Sequence, residues 1–534
     1  MSDHRKSFST LAARPPQHTP WVALVAVVIA AALCLPPLIV LVTESLVAGA
    51  ASAIPMARLL ELLGGTVQLI AIVTSCTVVL GTITALLVTR TYLPGRSVLS
   101  LLVMVALALP AYLLALALVG LSGGAGLLSQ LSAMIGLGAI PLSQGLWAAA
   151  LCLTLSNLPI VHALVVTALN RLDPALEESA RLVGDHPARV FFRVILPQLR
   201  TPLATAACIV ALYTLSDFGA VSVLRYDTFT RAVYSQFRGG VDLASAFALS
   251  GVLISMAAVL IVLRAILSGR PMPVASRARP PLTLRLSLAG QIAAGGVLWS
   301  VVAASLVAPI VTLATWAVRG IMAGVPPGPV LAETGNTLQL ALVAAAVTTL
   351  LAIPIALSSY RGTSRLGRLA ETLPWITHSL PHLAIGLGFL VVSLALPSVF
   401  YQSTVMLILV YAAIFLPVSV GALQLALRQI DPRLFEVSRM LGHGVWATGI
   451  RVGVPLVWRA AMTGALLVAV LVSQELPATL LLRPTGTETL AIRVWGSVSE
   501  GQLTTGSLAA ILLMALTVPL VAGHHRATLR VRAS

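Results

Sequence analysis

Few side chains in this 534-residue chain could do chemistry, and they stand in unusual company. Asp217 and Glu475 are carboxylates set in largely apolar stretches, SDFGAVSVLRYDTFT (216–230) and QELPATLLLRPTGTETLAIRVW (474–495). An acid within a membrane segment is a functional candidate by default, and an acidic pair suits a cationic cargo. The same residues serve equally as hydrogen-bonded acids that pin helix breaks at Gly219 and Pro477, and one residue can do both. His378 and His382 are four apart and share a helical face if Pro381 does not break the helix. That spacing can bind metal, but a buried histidine pair beside a helix break fits better. The cysteines, Cys34, Cys76, Cys152 and Cys208, show no metal-ligand spacing and read as small packing residues. No Ser-His-Asp set or carboxylate pair can be placed on one aqueous face, so neither a catalytic nor a metal site is expected.

The elements that hold these residues are membrane helices. Asp, Glu, Lys and Arg make up 9% of the chain, where a soluble domain has about a quarter. Mean hydropathy is +0.99, and the apolar residues come in blocks of the ~20 residues that a bilayer span needs. Twelve spans are expected, at 21–43, 66–89, 97–121, 145–169, 200–224, 242–267, 286–318, 336–359, 370–396, 402–427, 457–482 and 504–523. Barrel strands would alternate apolar and polar residues, and these blocks do not. The first block is too long and too lightly flanked for a cleaved signal sequence.

Basic residues set the orientation. Arg58, Arg225, Arg231, Arg238, Arg319, Arg483 and Arg493 fall in the loops of one side, leaving 26 of the 33 Lys and Arg on the other. Both termini are therefore expected in the cytoplasm. The +16 charge reports this topology and contact with anionic lipid rather than a nucleic-acid partner.

The chain is written twice. Asp173, Pro174, Glu178, Gly184 and Pro197 recur 258 positions on as Asp431, Pro432, Glu436, Gly442 and Pro455, as does Pro159 at Pro417. Nearer each start the offset is 271, matching Thr66 with Thr337, Arg90 with Arg361 and Pro110 with Pro381. The expected domains are a first six-helix repeat at 1–268, a proline-rich cytoplasmic linker at 269–285 and a second repeat at 286–534. An even number of spans per repeat makes the halves parallel, with a transport path between them.

Each repeat carries one charged loop, DPALEESARLVGDHPARVFFRVILP (173–197) and DPRLFEVSRMLGHGVWATGIRVGVP (431–455). Charge at a span centre costs ~2.5–3.5 kcal/mol per residue, so neither loop lies in hydrocarbon. Asp173 and Asp431 suit N-caps, Pro174 and Pro432 suit the first helical position, and Gly184 and Gly442 suit a left-handed stop. A second short amphipathic piece follows, with Phe191 or Trp446, until Pro197 or Pro455 ends the loop. Two identically punctuated helix–glycine–helix hairpins fit docking elements better than helices resting on lipid.

These hairpins resemble the EAA loop of ABC-importer permeases. ESARLVG with VILP, and EVSRMLG with VGVP, keep the Glu-x-x-x-x-x-Gly spacing and the proline tail, with Ser179 or Val437 in place of the first alanine and Ala180 or Ser438 in the next position. The resemblance implies an all-α fold of the type I importer permease kind. It further implies that Glu178, Ala180, Gly184, Phe191 and Pro197, with Glu436, Ser438, Gly442, Trp446 and Pro455, engage two copies of an ATPase subunit. Nucleotide chemistry would belong to that partner, with its ATP and Mg, and this chain would bind no cofactor. Independently, a P-loop needs Gly-Lys-Ser/Thr, and Lys6 is the sole lysine here.

The DFG and ELPATL–LRP phrases resemble the ferric-iron branch of fused permeases, with Gln474 where a lysine is usual. This implies an extracytoplasmic substrate-binding protein as a further partner, a bacterial inner-membrane location, and Asp217, Gly219, Glu475 and Pro477 at the path or gate. Permeases resembling this one also carry thiamine or aminoethylphosphonate. A secondary transporter of the major facilitator type is the rival class. Its Gly…Asp…Gly-Arg loop has no match in RTYLPGR or YRGTSRLGR.

Overall fold

The computed structural model describes residues 20–533 except 52–53, 124–125, 135–141, 173, 185, 240–242, 268–283, 327, 360–364 and 432. The linker at 268–283, the Asp173 cap, Pro432 and Arg361 lie outside the described residues. Among those described, helices account for the regular structure, and the single bridge joins Thr91 to Leu284 where the chain resumes after the linker.

Every expected span has a helical counterpart. The unbent ones are Pro20–Ala51, Met56–Arg90, Leu146–Leu169, Leu243–Leu267, Leu288–Val302 continuing to Met322, Val330–Ser359, Thr404–Leu427 and Gly449–Ser473. The last is a shorter apolar stretch, Leu503–Pro519, opening the helix Leu503–Ala533. We number the spans in chain order.

The third, fifth and ninth spans are not the straight rods that their hydropathy implies. Arg96–Ala108 meets Ala111–Ser122 at 97°, and Arg365–Ser379 meets His382–Ala395 at 110°. The breaks fall at Pro110 and Pro381, equivalent positions of the repeat, because proline lacks the N–H that would continue the helix and its ring clashes with the preceding turn. The residue before it is steered out of the α region, as Leu109 shows with ψ 108°. Phe191–Gln198 meets Arg200–Ser216 at 59°. The fifth span then ends at Ser216 and the eleventh at Ser473, short of the 224 and 482 that composition suggests. Short helices, Gly219–Val223 and Pro477–Leu482, carry the chain on.

The halves interlock. The first span packs on its own sixth span and on the eighth and ninth of the other half, while the seventh packs on the twelfth and on the third. A glycine admits each crossing helix. A Cβ on Gly388 would come within 2.7 Å of Pro37 O, and one on Gly120 within 2.8 Å of Trp316 Nε1. Trp316 in turn donates to Gly120 O at 3.1 Å. In hydrocarbon there is no hydrophobic gain from burying leucine, so such close backbone approach is what makes helix association favourable.

Candidate functional site

The charged hairpins fold as their punctuation predicts, up to the prolines. The first begins at Pro174 and runs to Leu182; the second spans Arg433–Met440. Asp431 Oδ1 accepts from Arg433 N at 3.0 Å, capping the second helix. Gly184 and Gly442 turn with φ of +88° and +84°. At Gly442 the closing bonds are His443 N to Ser438 O and Gly442 N to Arg439 O, the paired pattern that satisfies the last carbonyls of a helix.

Pro197 and Pro455 do not end their loops. In both copies a π turn, Phe191–Ile195 or Gly449–Gly453, leads through the proline into the following span. Widening the helix just before a proline relieves the clash of its ring with the carbonyl four residues back. In the second copy this piece is the start of the unbent span Gly449–Ser473; in the first it ends at Gln198 and meets Arg200–Ser216 at 59°. Phe191 lies in the first π turn, edge-on to Phe192 with ring centroids 5.1 Å apart. Trp446 lies in the helix Val445–Thr448 that precedes the second.

The hairpins differ in what anchors them. Glu178 is half-buried and Glu436 exposed, but the adjacent Glu177 is buried and bonds Arg90, at the end of the second span, at 2.7 Å. Arg90 also donates to Leu169 O, the end of the fourth span. Phe435 stands in the second half where Glu177 stands in the first. There the anchor is internal: Ser438 Oγ and Thr448 Oγ1, both buried, lie 3.0 Å apart. Ala180 and Val190 hold those places in the first copy.

The membrane acids sit at helix ends, a correction to their expected place well inside straight spans. Asp217 Oδ1 accepts from Ala220 N and Val221 N at 2.9 and 3.2 Å, and Glu475 Oε1 accepts from Ala478 N at 3.2 Å. Each carboxylate thereby caps the short helix that begins at Gly219 or Pro477. Gly219 is required there, since a Cβ would come within 2.9 Å of Tyr112 Cβ, just past the break in the third span. Gly386, past the break in the ninth span, likewise lies against Ala478. Break thus packs on break in both halves.

Pro381 breaks the helix, so His378 and His382 do not share a helical face, yet their rings stay 6.1 Å apart across the bend. His378 Nδ1 lies 2.8 Å from Ile414 O, and His382 Nδ1 lies 2.9 Å from Glu475 Oε2. Glu475 is therefore shared between a helix cap and a histidine. Its equivalent Asp217 has Ala111 at the matching place. Among the described residues no three His, Cys, Asp or Glu side chains gather within reach of one metal ion. Gln474, where the resemblance expects lysine, donates to Ala108 O at 3.0 Å and so joins the break in the eleventh span to that in the third.

Beyond the breaks, Thr66 and Thr337 do the same work in each half. Their hydroxyls accept from Phe229 N and Leu490 N, the first residues of the helices Phe229–Arg238 and Leu490–Ser499. Tyr234 and Trp495, equivalent residues of these helices, meet edge to face with centroids 5.4 Å apart, and Phe218 packs on both. This aromatic seam between the halves was missed in the sequence, because its two members are different residues in an offset that has drifted to 261. The chain alternates sides from span to span, so the seam lies on the face opposite the hairpins.

Duplicated broken spans, capped by acids and flanked by duplicated hairpins, define an inner-membrane component of a binding-protein-dependent transport system. The profile of that family matches residues 77–270 and again 349–528, and the chain belongs to it. It is 27% identical over 508 residues to the Fe(3+)-transport system permease protein FbpB 2 of Haemophilus influenzae, an alignment covering 94% of this chain and 96% of that one. It is 29% identical over 172 residues to PhnU of Salmonella typhi, a permease protein named for 2-aminoethylphosphonate transport, covering 31% and 58% of the two chains. A sulfate transport system permease protein, CysT of Salmonella typhimurium, matches at 29% over 143 residues, 27% of this chain and 50% of that one. The chain is thus a multi-pass transport permease of the ABC type and not an enzyme.

Proposed function

We propose that this chain forms the translocation path of an ATP-driven importer for ferric iron in a bacterial inner membrane. The observation that carries the reading is the near end-to-end alignment with a permease named for Fe(3+) transport. In this reading both termini face the cytoplasm, two copies of an ABC ATPase seat against the hairpins around Glu178 and Glu436, and ATP and Mg are held by that partner. A substrate-binding protein delivers cargo to the opposite face, near Arg225–Arg238 and Arg483–Arg493. Closure of the ATPases pulls on the hairpins, and the helices fused to them through the π turns carry the displacement to Asp217 and Glu475. The unbent join through Pro455 into Gly449–Ser473 supports this route in the second half, since a helix transmits a pull that a loop would absorb; in the first half the pull passes a 59° bend after Gln198.

The test is reconstitution with candidate ATPase and binding-protein subunits from the same organism. ATP-dependent uptake of labelled iron, lost when Glu178 and Glu436 are both replaced while ATP hydrolysis persists, is the expected outcome. Transport by the chain alone, without an ATPase, would sink the reading.

A second cargo, 2-aminoethylphosphonate, is favoured by the match to PhnU and by the arginines on the face opposite the hairpins. Competition between the two labelled cargoes in the same liposomes separates them.

A further inference from the structure

A cavity of ≈ 450 Å³ opens beside the aromatic seam, on the face opposite the hairpins. Its walls carry Arg225, Arg231 and Arg238 with Ser222, Tyr234 and Trp495, and among the described residues no carboxylate lines it. Arg231 is ion-paired with Asp227, which fixes its side chain. Arg238 lies over the Trp495 ring, 5.7 Å from its centroid, and neither it nor Arg225 makes an ion pair among the described residues. Arg225 holds a φ of +53°, a left-handed conformation that a long side chain rarely adopts. Trp495 Nε1 donates to Ser222 Oγ at 3.2 Å, leaving the serine hydroxyl proton to be donated elsewhere.

We infer that this cavity is a binding site for a small oxyanion, a phosphate, phosphonate or carboxylate group, held between the two halves of the permease. Guanidinium groups match such oxygens two at a time, and a hydroxyl donor beside them adds a third contact. A concave surface with excess positive charge attracts anions and repels a bare cation. The volume is that of a site for a small molecule. First-half arginines and second-half Trp495 line the same cavity, so both halves contribute to the site. The inference concerns binding and holds under either cargo. The anion is the cargo itself, or it accompanies a metal cation and covers its charge.

Binding is measured on the purified full-length chain in lipid nanodiscs, apart from transport. Inorganic phosphate and 2-aminoethylphosphonate are titrated by calorimetry at constant ionic strength in chloride. Saturable binding is expected, weakened about tenfold or more in the Arg225→Gln, Arg238→Gln double variant and unchanged in Arg264→Gln on the sixth span. In the wild-type chain, phenylglyoxal labelling of Arg225 and Arg238 read by mass spectrometry should fall when phosphate is added, a result that does not depend on any variant folding. No saturable binding, or labelling that phosphate and chloride suppress equally, would overturn the site. Crosslinking of Arg225 to a binding-protein carboxylate in the absence of any free-anion binding would overturn it too, making the cavity a protein contact. In proteoliposomes with the partners added, loss of phosphonate uptake in the double variant assigns the anion as cargo. Loss of a phosphate stimulation of iron uptake assigns it as companion. Oxyanion binding in a system that imports no iron leaves the site standing and removes only the iron reading.

Discussion

Glu177 and Arg90 are joined by a buried ion pair, 2.7 Å long, that fastens the first hairpin to the end of the second span. Its position in the second half is taken by Phe435, so two hairpins of one ancestry are held by different physics. The first is tied to a neighbouring span by an ion pair, the second within itself by the hydroxyls of Ser438 and Thr448.

Removing one partner of a buried pair strands the other charge, which costs about 3–5 kcal/mol, whereas replacing both by apolar groups is often neutral. Glu177→Gln should therefore lower the thermal midpoint of the purified protein in detergent, and Arg90→Met with Glu177→Leu should recover most of it. Equal stability of Glu177→Gln and wild type would show that the pair holds nothing.

At the second hairpin the anchor is a hydroxyl pair. Ser438→Ala alone leaves the buried Thr448 hydroxyl short of one contact, at a cost of about 1 kcal/mol. The double change Ser438→Ala, Thr448→Val copies the Ala180 and Val190 of the first half and should restore protease resistance of the hairpin. If the double variant is cleaved faster than the single, the two copies are not interchangeable in packing.

Gly184→Ala and Gly442→Ala meet no atom within 4 Å, so their cost is backbone conformation alone, about 1–2 kcal/mol each. Asparagine at either place should be milder than alanine. Gly219→Ala is a different case: its Cβ would press on Tyr112, and it should impair uptake far more than either hairpin substitution. Uptake assays on the five variants at matched expression test this order.

Glu475→Gln keeps an acceptor for the Ala478 N–H but takes the carboxylate from His382. Together with Asp217→Asn it should depress transport while leaving assembly with the proposed ATPase partner intact. Normal uptake by the double variant would remove both acids from the path.

The repeat, the spans and the hairpin punctuation were legible because each is a local signal: a run of apolar residues, a cap, a glycine at a fixed distance. The breaks were half legible. Pro110 and Pro381 stand in the sequence, but hydropathy runs on through a break as through a rod, so the spans read as straight and the acids as mid-helical. The motif spacing marks Glu178 and is silent on Glu177, because the helix phase that turns Glu177 inward toward Arg90 depends on the tertiary fold. The π turns before Pro197 and Pro455 leave no composition signal, which is why those prolines read as loop ends. Tyr234 and Trp495 needed three dimensions altogether, their kinship being one of position and not of residue type.

The crossing of the first span onto the other half bears on how the protein is made. Pro20–Ala51 is complete in the ribosome's output long before Arg365–Ser379, against which it packs, has been translated. At ~5–20 residues per second the interval is on the order of tens of seconds. During that time the helix must rest in lipid with part of its interface uncovered. It is the most apolar of the unbent spans, which suits such a wait. Assembly of the two halves is thus a late event in biosynthesis, and a ribosome stalled before the ninth span should leave a first half that is inserted yet still open to protease.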